Sequence, residues 1–234
     1  MRKIRLKTDA TYSKVLVFDS EFDGPWTLNE CRLSPPQRQT NIIEIPGRDG
    51  AVDLAPALGD IKYQPREFYA ALECSEGTRE SRQELIERVI NKLEGRYCQI
   101  FLPDDPMHYI EGYVDVEVEY NDINHARIIL TSQVYPWRIR VDETDIVVAA
   151  SMSPQTLIIK NRGGRKVVPT ISSWTYDGVT MPNITLTCGE WFEYTFTGYD
   201  VIYPEELAMS FEDELELTYS GTGCLEFKWK EASL

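Results

Sequence analysis

The sequence predicts a mainly β protein in two consecutive parts, the first crossed by one α-helix and the second built of strands alone. Three observations carry this. Short apolar or alternating runs recur along the chain between proline- and glycine-rich breaks, a single segment has helical spacing, and the charge balance shifts near residue 140.

Taken in order, Ile4 and Leu6 stand two residues apart among Arg2, Lys3, Arg5 and Lys7, which puts them on one face of an extended strand. Val15-Leu16-Val17-Phe18 is a second apolar run. Asp23-Gly24-Pro25-Trp26 and Ser34-Pro35-Pro36 break the chain and bias the residues before each proline toward extended backbone. Asn41-Ile42-Ile43-Glu44-Ile45 then reads as a strand. It runs into Pro46-Gly47-Arg48-Asp49-Gly50, whose two glycines can take positive φ, so a hairpin or tight turn is expected. Tyr63 to Cys74, rich in aromatics and broadly alternating, reads as a half-buried strand. Leu85, Ile86, Val89, Ile90 and Leu93 instead recur at spacings of one, three and four, with Gly95 at the stop. This predicts a helix over about residues 79–94, capped by Thr78 or Ser81, with its apolar stripe laid across a sheet. Tyr97 to Leu102, a Pro103-Asp104-Asp105-Pro106 turn, Tyr109 to Tyr120 and Ala126 to Val134 follow. In Tyr113 to Tyr120 acids alternate with valines, the period of a sheet with one wet face, and Asn121 to Asn124 reads as a hairpin loop.

Tyr135-Pro136-Trp137 ends this part, because proline cannot donate into a continuing ladder. Residues 142–234 carry six basic and fifteen acidic side chains, against eighteen and twenty-three in residues 1–141. A boundary is therefore expected near residue 140, giving domains 1–140 and 141–234. The second contains Thr156 to Ile159, a Gly163-Gly164 turn, Val167-Val168, Ile184 to Thr187, Trp191 to Phe196, Glu214 to Tyr219 and Cys224 to Trp229. Short strands without helical pattern predict a β-sandwich.

The composition narrows the function classes. With 234 residues, 42% of them hydrophobic, the chain can bury a sizeable core. Its 24 basic and 38 acidic residues leave a net charge of −14, which repels a polyanion, so specific nucleic-acid binding is not expected. No apolar run approaches the roughly 18 residues of a membrane span, and no secretion signal is read, so no membrane partner is expected. The five cysteines are scattered without paired spacing and read as free thiols in a reducing compartment. His108 and His125 lack a metal-ligand spacing, and the common nucleophile, phosphate-loop and dinucleotide motifs are missing. Neither catalytic residues nor a cofactor or metal is expected, and the protein reads as not an enzyme. Carboxylates for a glycosidase exist by type at Asp104 and Asp105 or at Glu212, Asp213 and Glu214. Turn chemistry and a solvated strand face account for them better. Trp174, Trp191 and Trp229, with Tyr176, Tyr194, Tyr199 and Tyr219, would form a glycan-stacking surface if the indoles lay exposed in a row; core filling is the plainer reading.

The ordered set formed by Pro46 to Gly50 after an apolar strand, Tyr63-x-x-Arg66-x-Phe68, the amphipathic helix with Gly95, the Asp104-Asp105 turn and Tyr135-Pro136-Trp137-Arg138 resembles the N-terminal domain of the distal tail (Dit-like) proteins of siphophages and prophages. Leu157 to Asn161, Gly163-Gly164, Pro169 to Ile171 and Gly221 to Cys224 resemble strands of their second domain. The chain departs from the family with Tyr-Pro-Trp where Pro-Tyr is the usual order, and with a shorter, more acidic end. The resemblance implies a split β-barrel-like ring-forming (belt) domain with one helix, then a galectin-like or carbohydrate-module-like β-sandwich. It implies a structural virion component, synthesised in the host cytoplasm, that assembles as a homohexameric ring joining the tail tube and tape-measure end to baseplate, tail-tip or receptor-binding proteins. Gly47, Arg48, Asp49, Gly50 and Arg66 are the expected fold or ring-interface elements. A carbohydrate-binding module acting through the second domain is the alternative.

Overall fold

A computed structural model of the chain describes residues 4–8, 17–20, 23–44, 46, 49–55, 61–119 and 125–234. The fold is mainly β with one α-helix, and the chain divides into two compact units, Met1–Arg138 and Ile139–Leu234. The readings at Val15-Leu16, Gly47-Arg48 and Asn121 to Asn124 lie outside the described residues.

In the first unit, β1 (Arg5–Thr8), β2 (Val17–Asp19), β3 (Thr27–Leu33), β4 (Ile42–Glu44), β5 (Ala51–Asp53) and β6 (Arg66–Cys74) precede α1 (Arg79–Leu93). After it come β7 (Arg96–Leu102), β8 (Asp105–Glu119) and β9 (Ala126–Val134). The main sheet runs β2-β1-β7-β8-β9-β6-β3, every neighbour antiparallel, and curls as a half-barrel. Period-2 alternation sends Ile4, Leu6, Phe18, Phe68, Leu72, Ile100, Ile110, Val114, Ile128 and Leu130 to one side. There they meet Ile86, Val89 and Leu93 of α1, spaced by three and four. Removing each large side chain from water stabilises the unit by about 1.5–3 kcal/mol.

The helix begins where Thr78 accepts a hydrogen bond from the Ser81 amide at 3.3 Å. It stops at Gly95, whose φ of +65° suits glycine and whose amide donates to the Val114 carbonyl at 2.9 Å. On the opposite face of the sheet Tyr113, Asp115 and Glu117 are exposed, the wet face that the valine alternation predicts. The turn after β7 is tighter than the four-residue reading: Leu102 pairs with Asp105, and Pro106 already lies in β8. There a bulge opposite Ile100 to Leu102 makes no demand on the missing amide.

A short strand, β10 (Arg138–Arg140), begins on the last residue of the first unit, and the second unit continues with β11 (Thr144–Ala150), β12 (Gln155–Lys160), β13 (Thr170–Trp174), β14 (Asn183–Cys188), β15 (Phe192–Phe196), β16 (Val201–Ile202), β17 (Glu214–Trp229) and β18 (Ala232–Ser233). The two runs read as separate strands, Glu214 to Tyr219 and Cys224 to Trp229, are one strand of 16 residues. Its first half pairs with β12 and β14, its second with β11 and β13. The two halves therefore belong to different layers, and a single core of Ile171, Ile184, Leu186, Phe196, Leu217, Leu225 and Phe227 fills the space between them. Gly221 and Gly223, at φ +133° and +126°, make the crossing possible. A Cβ at Gly221 would stand 2.0 Å from the Asn183 carbonyl oxygen. Asn161 is fully buried and ties the unit's loops together, donating to the carbonyls of Arg165, Met209 and Ser210 and accepting from the Gly163 amide.

Candidate functional site

Two features of the first unit stand out, an arm and the node at its root. The arm leaves the sheet after β3 and returns at β6. Its two sides are held at intervals by backbone bonds from Ser34 to Glu67, Gln64 to Gln37, Gln39 to Lys62 and Leu54 to Asn41, each 2.8–2.9 Å. At its far end β4 and β5, among the described residues, pair only with each other, Ile42 opposite Asp53 and Glu44 opposite Ala51. Asp53 fastens the base of this hairpin: its carboxylate accepts from the amides of Asn41 and Ala55, both at 3.0 Å, and meets Arg38 at 3.3 Å. Those three partners hold the carboxyl below its ordinary range.

Residues 37–44 are all exposed, Ile42 at 61% and Ile43 at 38%, and Ile61 on the returning side is 56% exposed. Because Ile42 and Ile43 are adjacent, the hairpin shows an isoleucine on each face, and both are exposed. An isolated two-stranded hairpin is only marginally stable in water, so its exposed isoleucines make the arm a candidate contact surface. The sequence signal was the pair of adjacent isoleucines before a turn, which a one-sided strand would not need. Asp49 and Gly50 are exposed at the hairpin's end, Gly50 with φ +82°. Gly47 and Arg48 lie outside the described residues.

The node collects motifs far apart in sequence. Arg66, the first residue of β6, is only 7% exposed; its Nε donates to the Ser34 carbonyl at 2.6 Å and its guanidinium reaches the Pro136 carbonyl at 3.4 Å. Burial first, and the neighbouring Arg138 second, lower its pKa. Tyr63 meets Trp137 edge-to-face at 5.5 Å between ring centres, and Arg138 bonds Asp105, which also holds His108 at 2.8 Å. The Tyr63-x-x-Arg66 and Tyr135-Pro136-Trp137-Arg138 motifs thus converge, and Arg66 acts on the root of the arm from inside the fold rather than from the surface.

The three tryptophans of the second unit do not form a row. Trp229 is 4% exposed and belongs to the core. Trp174 is half-buried at the end of β13. Trp191 is 56% exposed beside Phe192, at the opposite end of the β14–β15 hairpin from the Ile184–Phe196 pair. Among the carboxylates weighed for hydrolysis, Asp105 is engaged with His108 and Arg138, Asp213 caps the Ser210 amide, and Glu214 pairs with Lys160. Cys74, Cys98, Cys188 and Cys224 are buried, and burial pushes the Cys98 thiol up to about 11. Among the described residues no group of three or more His, Cys, Asp or Glu side chains is placed to hold a metal ion.

No protein-family model matches the sequence, and no curated protein matches it. Solved structures do. The Dit (gp 19.1) protein of phage SPP1, described as a paradigm of the hub adsorption apparatus in phages infecting Gram-positive bacteria, superposes with a TM-score of 0.64 at 16% identity. The match covers 97% of this chain and 98% of that one. A chain of the phage P2 baseplate in its activated, calcium-containing conformation superposes with a TM-score of 0.50 at 11% identity, covering 99% and 98%. With the half-barrel sheet and its helix in the first unit, the shared long strand in the second, and a match running from end to end, the chain has the fold of a Dit-like phage distal tail protein.

Proposed function

We propose that the chain is a structural component of a phage tail tip: a ring-forming adaptor whose first domain, residues 1–140, builds the ring and whose second, residues 141–234, is a β-sandwich carried outside it. The observation that carries this reading is the two-way coverage of the SPP1 Dit fold, which leaves almost none of either chain unaccounted for. The arm supplies the chemistry of self-association. Covering its exposed isoleucines on a neighbouring copy contributes on the order of 1 kcal/mol for each. An arm that docks on a different patch of the neighbouring copy makes a heterologous contact, the kind that generates a ring when its rotation closes and a filament when it does not. The sheet's edges, β2 and β3, are further surfaces for neighbours; β3 carries a bulge between Leu28 and Glu30, a device that discourages indiscriminate edge pairing.

An overall charge of −14 suits a wall around a DNA exit channel, since it offers the polymer no holding site. Tail-tube, tape-measure and tail-tip or receptor-binding proteins are the partners this role requires, and the virion tail is its place. Mass measurement and negative-stain imaging of the purified protein test the proposal. Closed rings that disappear in an Ile42→Asp/Ile43→Asp variant of native circular dichroism support it; rings that persist in that variant reject the arm as the ring contact.

A further inference from the structure

Strand β16 is a sheet edge: among the described residues it pairs with β13 alone, Ile202 opposite Ile171 and Val201 opposite Ser172. The Ser173 amide donates to the Asp200 carbonyl at 3.0 Å, and the alternation of an antiparallel ladder then turns the backbone groups of Ile202 toward β13 and those of Val201 and Tyr203 away from it. Of these outward groups the Val201 amide is held by Asp200 Oδ1 at 2.9 Å; the Val201 carbonyl and both Tyr203 groups face the edge. The side chains alternate as well. Tyr199, Val201 and Tyr203 are more than half exposed, whereas Ile202 packs against the unit's core. From Tyr199 to Tyr203 the edge carries neither Lys nor Pro, the residues that commonly guard such a strand against pairing.

The apolar surface continues beside the strand. Thr175 Oγ1 bonds Tyr199 Oη and the Thr180 carbonyl, each at 2.9 Å, and Asp177 accepts from the amides of Val179 and Thr180 at 3.0 Å, which fastens the β13–β14 loop next to Tyr199. Tyr176, Val179 and Met181 on that loop are also more than half exposed. Six large apolar side chains in one region exceed the single scattered ones normal on a protein surface and mark a contact site. Charge narrows the occupant. Residues 167–227 contain eleven acids and no Lys, Arg or His, and Glu205 and Glu206 stand exposed just past the edge. Lys228, two strands in on β17, is held by Glu226 and Asp145. An anionic polymer is therefore repelled and a segment bearing Lys or Arg attracted.

We propose that the β16 edge, with the β13–β14 loop beside it, docks an extended segment of another protein in which apolar residues alternate with Lys or Arg, and that this segment adds to the sheet as a strand. Its backbone pairs with the outward groups of Val201 and Tyr203, its apolar side chains lie along Tyr199, Val201 and Tyr203, and its basic side chains meet the surrounding carboxylates. The contact does not depend on ring formation, so its test and the mass test fail separately.

The experiment selects a random linear peptide library on the full chain, then measures fluorescence polarisation with a synthetic peptide of alternating valine and lysine. Selected sequences in which apolar residues alternate with Lys or Arg are expected. The valine–lysine peptide should bind at least tenfold more tightly than its valine–glutamate counterpart, and should lose at least tenfold when one alternate set of its amides is N-methylated, because methylation removes the donors of the added ladder. Binding should also fall at least tenfold in Val201→Ser/Tyr203→Ser, checked for native circular dichroism, and be unchanged in Trp191→Ala on the β14–β15 hairpin of the other layer. No peptide selected, no preference for lysine over glutamate, indifference to methylation of either set, or full binding by the serine variant would overturn the proposal. A particle mass that drops in the serine variant while no peptide binds would assign the edge to a second copy and overturn it too.

Discussion

Replacing Arg66 with methionine keeps the length and apolar volume of the side chain and removes its fork of donors. The short bond from Nε to the Ser34 carbonyl is a charge-assisted one, of about 1.5–3 kcal/mol; the 3.4 Å bond to the Pro136 carbonyl adds less. Against that stands relief from burying a cation beside Arg138, which returns part of the loss. The net expectation is about 2 kcal/mol of destabilisation, or roughly 4–8 °C in melting temperature for a chain of this length. Arg66→Lys should recover little of it, because a single ammonium cannot span both carbonyls. Urea titrations followed by tryptophan fluorescence, with Trp137 at the node as local reporter, measure the change, provided the slopes match wild type. If Arg66→Met were as stable as wild type within about 0.5 kcal/mol yet no longer assembled, Arg66 would be an interface residue and the reasoning from burial would be refuted.

Gly221→Ala should destabilise the second unit by roughly 3 kcal/mol or more, since it combines a φ of +133° with a Cβ set against the Asn183 carbonyl; a melting curve like that of wild type would mean that β17 does not cross between layers there. The arm should also respond to acid. Asp53 is held below its ordinary value of 3.8, so its contribution is complete above that pH and disappears as pH falls through the lower folded-state value. Amide exchange at Leu54 and Ala55, corrected for intrinsic rates, should stay constant from neutral pH down to about 4 and then accelerate, and Asp53→Asn should abolish that step. Protection that persists once the carboxyl is protonated would show that the hairpin does not depend on it.

What could be read from the sequence follows from how local each signal is. The helix and strands β6 to β9 are written in apolar spacing within single segments, and the hairpin of β4 and β5 in the glycines that separate them. In the sequence, strand β17 reads as two strands parted at Gly221-Thr222-Gly223, because glycine usually marks a break. Here it marks the close approach of the Asn183 backbone, a contact from 38 residues away that no local pattern contains. Strand β11 carries no local signature for a different reason: Val147 and Ala149 alternate with Ile146, Val148 and Ala150, so its two faces have little contrast. The node is illegible by construction, since Arg66 and Pro136 lie 70 residues apart. The tryptophans show the same limit, because nothing local distinguishes the buried Trp229 from the exposed Trp191.

Light scattering coupled to size exclusion, run over a concentration series on wild type and on the Ile42→Asp/Ile43→Asp variant, tests the ring account most directly. The account predicts a wild-type particle of six or twelve times the 26.9 kDa chain mass and a variant that elutes as one chain with unchanged circular dichroism. A wild-type mass of one chain at every concentration, or a ring that the two aspartates leave intact, would contradict it.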